Sequence, residues 1–572
     1  MLLDSWRPYA WLALAVMLLY GHTLRFTEFT HQDDYYLIVD SNALLSNPNH
    51  VWKAFVEDVY HRHQGGNIYR PMLTLSLMVD TAISGTSLIS YRITNILLHI
   101  GSVLLLLVFF RILGLDRLPS VVATLFVAIH PALTQAVVWI PGRNDSLFAL
   151  FALAALLTLH RYNATGRVRW VAVHLLFFAF TLFTKETAIV LPLFCVLLFW
   201  NNQHRGEQWT ARIVLFISWL AVVTVWLSLR SAAMLAPVGD WQYIFTSLIR
   251  SSWVSLAYFG SAILPTELFI IAVAEDLSVF AGALGLLILM FLAVRSRETN
   301  WKLFCIGFLW FLAFLLPTFY QQPNVLVPLR FFQHRLYVPL IGILLMILSL
   351  SSWKFEKRWL GIAPTATTLA ILGFGAIAFR QSLVFQNPLA FSEAIARTSP
   401  HNPFVYNDIG IMKYTNGSLV PAGQQRDVPA LYRKTLTSAS ERLQQLIATD
   451  PRNPSYHHHL AILYFGLGML KSAEQHLLHS LTLDSTNART YYNTGVLYYR
   501  AHRELDAETH WKKAIELDPS LADAYRNLCY LYYRWERFSL AREYGERARQ
   551  LGAEIPLELA EEITRQEREH NR

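Results

Sequence analysis

Between residues 8 and 380 the chain is a succession of apolar stretches, each near the length that crosses a bilayer. About 20 helical residues span roughly 30 Å of hydrocarbon. The stretches 8–25, 90–112, 119–139, 145–161, 168–184, 187–201, 209–230, 277–295, 301–320, 329–351 and 358–379 read as helices. Backbone groups left unpaired in lipid are too costly, so this region is expected to be an all-α bundle. Charge agrees: only 15% of the chain is Asp, Glu, Lys or Arg, against about 25% in soluble domains. A membrane region explains this better than one large soluble core. Trp11–Leu19, flanked by Arg7 and Arg25, reads as a retained first span, because no small-x-small cleavage site precedes the acidic loop. Cys195, Cys305 and Cys529 are far apart and suggest neither a disulfide framework nor a metal cluster.

Basic loops set the orientation. Arg161, Arg167 and Arg169 fall in one loop, Arg205 and Arg212 in the next. Arg295, Arg297 and Lys302 fall in a third, and Lys354, Lys357 and Arg358 in a fourth. Placing all four in the cytoplasm requires that the apolar stretch 243–264, which carries Arg250, does not cross. The expectation is about eleven crossings, amino terminus inside and carboxyl terminus outside. The net charge of +8 belongs to these loops and to an anion site, not to nucleic-acid binding.

The last quarter is soluble and periodic. Asp450, Asp484 and Asp518 recur every 34 residues. Tyr491, Gly495, Tyr498, Ala507, Trp511, Ala514 and Pro519 fall at the offsets of a tetratricopeptide repeat. Tyr525, Tyr532, Ala541 and Ala548 continue the pattern, and Leu460, Ala461, Tyr464 and Ala473 precede it. Stretches 405–414 and 431–449 read as an earlier helix pair. An α-solenoid over 386–572 follows, with a concave face suited to extended peptides. His457, His458 and His459 resemble a metal tract. Consecutive helical residues point in different directions, so a structural role is the better reading.

Chemistry-bearing residues gather on the outer side. The first outer loop, 26–89, holds the adjacent carboxylates Asp33 and Asp34. Like charges raise one pKa of such a pair, so one carboxylate suits a general base while the other orients it or holds a cation. His130, Gln135, Arg143, Asp145, Lys185, Glu186, His334, Arg335 and Tyr337 all lie at the outer ends of spans. Arg70, Arg143, Lys185 and Arg335 are placed to surround an anion such as a phosphate, since cations at that depth are costly unless paired or functional.

Several segments together resemble one family. These are Asp33-Asp34, Tyr69-Arg70-Pro71, the run Tyr91 to His99, His130-Pro131 with Thr134 to Val137, Gly142 to Asp145, Lys185-Glu186, and Arg335 to Pro339. In this order, and followed by the repeats, they are similar to the transmembrane and tetratricopeptide-repeat O-mannosyltransferases and their bacterial relatives, of the GT-C class of membrane glycosyltransferases. Members often carry Glu-Arg before the Tyr-x-Pro element, whereas Gln333-His334 precede Arg335 in this chain.

The resemblance implies a glycosyltransferase domain over 1–385 and a repeat domain over 386–572. It implies a polyprenyl-phosphate sugar as donor, mannose-like, and Ser/Thr hydroxyls of a protein as acceptor, with the repeats holding that protein. Asp33 is implied as base and Asp34 as its partner. Arg143, Lys185, Arg335 and Arg70 would bind the donor phosphate. His130, Gln135, Asp145, Glu186, His334 and Tyr337 would bind substrate or shape the site. A divalent cation, Mg or Mn, is a candidate cofactor. The setting is an integral membrane protein in contact with lipid, with site and repeats periplasmic in a bacterium or lumenal in a eukaryote. The alternatives are a transferase acting on a glycan or lipid, and a membrane scaffold in which the repeats alone act.

Overall fold

A computed structural model describes residues 5–30, 32–59, 68–199, 208–234, 241–265, 268–296, 298–320, 330–350, 362–399, 450–519, 521–551 and 555–570, with isolated positions at 437–448 and 553. Two compact units form, the first running to Ser399 and the second from Pro400.

Among the described residues of the first unit, five helices are long and apolar enough to cross a membrane: Leu88–Ile112, Arg143–Thr165, Arg212–Ala233, Trp301–Phe319 and Thr365–Phe385. Eleven full-length crossings are therefore not shown. Proline and short 3-10 turns divide the remaining apolar sequence. The expected span 119–139 is a helix Arg117–Ala128 followed by Pro131–Val138, bent by 48°. Pro131 has no N–H to continue the ladder, and the His130 ring caps the break by accepting from the Ala132 N–H at 3.2 Å. This broken pair is a sixth candidate span. Shorter apolar helices are Pro71–Ser84, Arg169–Thr184, Glu186–Phe199, Val254–Ile263, Phe280–Arg295 and Gln333–Leu348. The stretch 243–264 is two short helices, Trp241–Ser251 and Val254–Ile263. Expected helix 329–351 instead opens on a two-residue strand, Phe331–Phe332, antiparallel to Ile271–Ala272.

Apolar side chains turned outward identify the lipid face. Phe216 is 65% exposed, Leu220 57% and Leu372 64%, an arrangement that hydrocarbon tolerates and water does not. Inside, helices Trp301–Leu315 and Tyr337–Leu348 cross at two glycines. A Cβ on Gly307 would lie 2.5 Å from the Gly342 carbonyl oxygen, so both positions need glycine for the backbones to approach.

The segment 26–89, expected as the first outer loop, contains helices of its own. It contains helical turns Gln32–Tyr35, Asn42–Leu45 and Lys53–Val56, then a full helix Pro71–Ser84 with Pro71 in its first turn. Leu37, Ile38, Leu44 and Leu45 bury against Leu73, Leu77, Leu88 and Tyr91, so the acidic turn rests on its own apolar core.

The second unit repeats as the sequence implies. Helix pairs are Pro454–Gly466 with Leu470–Leu483, Ala488–Arg500 with Glu504–Leu517, and Ala522–Arg534 with Phe538–Gln550, followed by Leu557–His570. Each first helix starts 34 residues after the last. Trp511 packs onto Gly495, where a Cβ would meet the indole at 2.5 Å. The turn within each pair uses a left-handed residue at the same repeat position: Gly468, His502 and Glu536. The earlier pair expected near 405–449 lies outside the described residues, apart from isolated positions.

The three consecutive histidines take three separate roles. His457 pairs with the His476 ring at 3.0 Å and the Pro451 carbonyl at 3.1 Å. His458 meets Thr490 at 2.9 Å and Asn493 at 3.3 Å. His459 packs edge-on against His458. Burial pushes His458 down to about 3 from its usual 6.5. The folded repeat therefore favours the neutral ring. That stabilisation is complete above the unfolded value of about 6.5 and fades as pH falls from there towards 3. Heat unfolding of the full chain at pH 7.5, 6 and 5 should show it. The repeats should lose up to about 1.4 kcal/mol per pH unit from this group, and His458→Gln should flatten the dependence. An unchanged slope in that variant would refute the assignment.

Candidate active site

The two neighbouring aspartates turn to different partners. Asp34 is fully buried; its Oδ2 accepts the Thr30 N–H at 2.8 Å. Its charge acts on Arg92 and Arg143. Asp33 is half-buried, and its charge acts on His334. On a helical turn, adjacent side chains diverge by about 100°, so the two carboxylates leave the turn in different directions. The backbone leading into this turn is tied down. Buried Arg92 donates to the carbonyls of Phe26 at 3.0 Å, Glu28 at 3.3 Å and Val138 at 3.3 Å. Thr30 Oγ1 donates to the Phe385 carbonyl at 3.1 Å.

Around His334 the ends of four segments meet electrically. Lys185, Arg335 and Arg70 all act on its ring, and Arg70, Lys185 and Arg230 act on exposed Glu186. Lys185 Nζ donates to Asp145 Oδ1 at 2.7 Å, and His334 Nε2 lies 3.7 Å from Asp145 Oδ2. Gln135 Oε1 accepts the His334 main-chain N–H at 3.0 Å. Arg335 donates to the Thr318 carbonyl at 2.8 Å and lies over the Phe332 ring at 4.9 Å. Arg70 stands at the start of helix Pro71–Ser84, its Nε buried with no hydrogen-bond partner within the protein. Asp145, Lys185, Arg335, His334, Gln135, Arg70, Glu186 and Asp33 thus share one region, with positive charge from three segments.

Arg143 is placed differently from the expectation. It is fully buried and donates to Asp80 Oδ2, to Asn95 Oδ1 at 2.7 Å, to the Tyr91 carbonyl at 2.7 Å and to Ser76 at 3.3 Å. Four of its five N–H donors therefore bind the protein. Asp80 also accepts from Thr94 at 2.6 Å, so the pair joins helices Pro71–Ser84, Leu88–Ile112 and Arg143–Thr165. His130 uses both ring nitrogens on the backbone, at Ala262 and Ala132. The Tyr337 hydroxyl donates to Nδ1 of His99, whose Nε2–H donates to the Ala128 carbonyl at 3.1 Å. These three hold the fold that carries the site. Asp80, Arg92 and His99 went unassigned at the level of sequence; the run Tyr91–His99 offered a signal, but not its partners.

Among the described residues, no three His, Cys, Asp or Glu side chains gather as ligands for a metal.

Residues 70–232 match the family model described as dolichyl-phosphate-mannose-protein mannosyltransferase. The match covers under a third of the chain. It contains Arg70, His130, Gln135, Arg143, Asp145, Lys185 and Glu186. The chain is 33% identical over 149 residues to the human protein O-mannosyl-transferase TMTC2, an alignment that spans 26% of this chain and 18% of that protein. It is 30% identical over 164 residues to human TMTC1, spanning 28% of this chain and 18% of that protein. The chain thus spans under a fifth of the length of these curated relatives. The helical repeats align with YrrB, a tetratricopeptide-repeat protein with a peptide-binding site, at 15% identity, 37% of this chain, 92% of that one and a TM-score of 0.21. The matched stretch 70–232 carries the bent helix pair and two of the three clustered cations, while Asp33 and Arg335 flank it in sequence.

Proposed function

We propose that the protein is an inverting membrane glycosyltransferase that moves a mannose-like sugar from a polyprenyl phosphate to Ser or Thr of a protein. The observation that carries this reading is the half-buried Asp33 beside a cluster of Arg70, Lys185 and Arg335. The mannosyltransferase-family match supports it. Asp33 takes the proton of the acceptor hydroxyl as its oxygen bonds to the anomeric carbon. The bond from that carbon to phosphate oxygen breaks, and the lipid phosphate leaves with the electron pair. Arg70, Arg335 and Lys185 stabilise the growing negative charge, Lys185 by sharing its ammonium with Asp145. Asp34 and Arg143 hold the site in place. The repeats present the acceptor polypeptide.

Purified protein in lipid nanodiscs should transfer radiolabel from dolichyl-phosphate mannose to a Ser/Thr-rich polypeptide. Labelled glycan or lipid without labelled protein would overturn the acceptor class. The proposed topology keeps the amino terminus inside and the site and repeats outside. The shorter apolar helices then complete the passages between the basic loops. In a cysteine-free background, an impermeant thiol reagent added from outside should reach a cysteine at position 485 and miss one at 165. The reverse pattern would put Asp33 on the wrong face.

A further inference from the structure

Two buried amides beside the cation cluster are left without partners. Asn144 is 1% exposed and Gln333 2%. Within the protein, neither polar atom of either side chain has a hydrogen-bond partner. Nε2 of Gln135 and Nδ1 of His334 are in the same condition. Folded interiors pair nearly all such atoms. Exchanging N and O in either amide does not remove the deficit, because both atoms are unpaired.

The four residues belong to two short segments that the protein ties together. The His334 N–H donates to Gln135 Oε1 at 3.0 Å, and His334 Nε2 lies 3.7 Å from the Asp145 carboxylate, one residue beyond Asn144. Gln333 immediately precedes His334, and its main chain is held by the Ile270 carbonyl. Trp139 packs against the His334 ring at 5.5 Å and stacks on Phe332. Gly142 allows the segment to close: a Cβ there would sit 2.5 Å from the Gln135 carbonyl oxygen.

Their chemistry selects the ligand. Asn144 and Gln333 each offer an NH2 donor and a carbonyl acceptor, and Gln135 adds a third NH2. A phosphate accepts hydrogen bonds only and would leave both amide carbonyls unpaired. An apolar chain would leave every atom unpaired. Hydroxyls donate and accept at once, so adjacent hydroxyls on a ring satisfy an amide at both atoms. We infer that Asn144 and Gln333, with Gln135 and His334, bind the hydroxyls of the donor's sugar ring and determine which sugar is accepted. This rests on the transferase reading; the phosphate is left to the cations.

The test separates sugar from phosphate. Full-length protein in nanodiscs is titrated with short-chain polyprenyl phosphate and with the same lipid carrying mannose, following tryptophan fluorescence. Wild type should bind the mannosylated lipid more tightly by roughly tenfold to a hundredfold. Asn144→Ala and Gln333→Ala should lose most of that ratio while binding of the bare lipid phosphate changes by less than about twofold. Should either alanine variant fail to fold, Asn144→Asp and Gln333→Met are titrated in its place, and transfer from mannosyl against glucosyl donors is compared as kcat/KM. Loss of discrimination is the expected result. An intact ratio and intact discrimination in the folded variants would overturn the inference, leaving these amides merely hydrated. Weakening of both ligands alike would also overturn it, as a structural effect. Failure of wild type to bind bare lipid phosphate or transfer any sugar would instead defeat the transferase reading.

Discussion

Asp33→Asn should leave a folded, donor-binding protein whose transfer is slower by about 10²–10⁴-fold. The amide keeps the shape of the carboxylate and its ability to accept a hydrogen bond, but it cannot take the hydroxyl proton. Asp33 is half-buried and therefore reachable, and its charge acts on His334, inside the cation cluster. Asp34 is its control. That carboxylate is buried and holds the Thr30 N–H, so Asp34→Asn should lower stability as well as rate. Single-turnover transfer from labelled donor, with a melting curve for each variant, measures both quantities. If Asp33→Asn turns over normally and Asp34→Asn is inactive at full stability, the roles are exchanged. If both are active, no carboxylate in this turn is the base.

Asp80→Ala is expected to be the most damaging single change to the fold of the first unit. It strands the Arg143 guanidinium at 0% exposure, and an uncompensated buried charge typically costs about 3–5 kcal/mol. Arg143→Met in the Asp80→Ala background should restore much of the loss, since an apolar pair is often as good as a buried ion pair. Melting temperature in detergent across the four proteins of this cycle is the measurement. The same series bears on the donor. Arg143→Met with an unaltered KM for donor would agree with its place among Asp80, Asn95 and Tyr91. A large rise in KM with unaltered stability would return Arg143 to the phosphate.

What could be read in the amino acids depended on the range of the interaction. The repeats were legible because each helix pair meets only its neighbours, so a spacing of 34 residues in sequence is also a contact in space. The grouping of Arg70, Lys185 and Arg335 was legible because polarity interrupts apolar runs. Arg143 was not, because sequence displays a charge without its partner, and Asp80 lies 63 residues away inside an apolar helix. The break at Pro131 had a local signal, yet the flanking residues are apolar enough to read as one span. Pro71–Ser84 was passed over for a related reason. Its 14 residues are too few to cross, although Pro71 at the first turn and buried Leu73, Leu77 and Met78 mark a helix.

If Asp33 is the base, as proposed, Arg92 has a consequence for the rate that reaches beyond its three bonds. By gripping the carbonyls of Phe26, Glu28 and Val138, it removes backbone freedom from the approach to Asp33 while the protein is still empty-handed. Each residue so fixed would otherwise lose about 1–2 kcal/mol of conformational entropy when ordered. That loss is settled during folding instead of at the moment of transfer. A carboxylate on such a mount meets the hydroxyl at high effective concentration, whereas one on a loose loop would have to find it anew in every cycle.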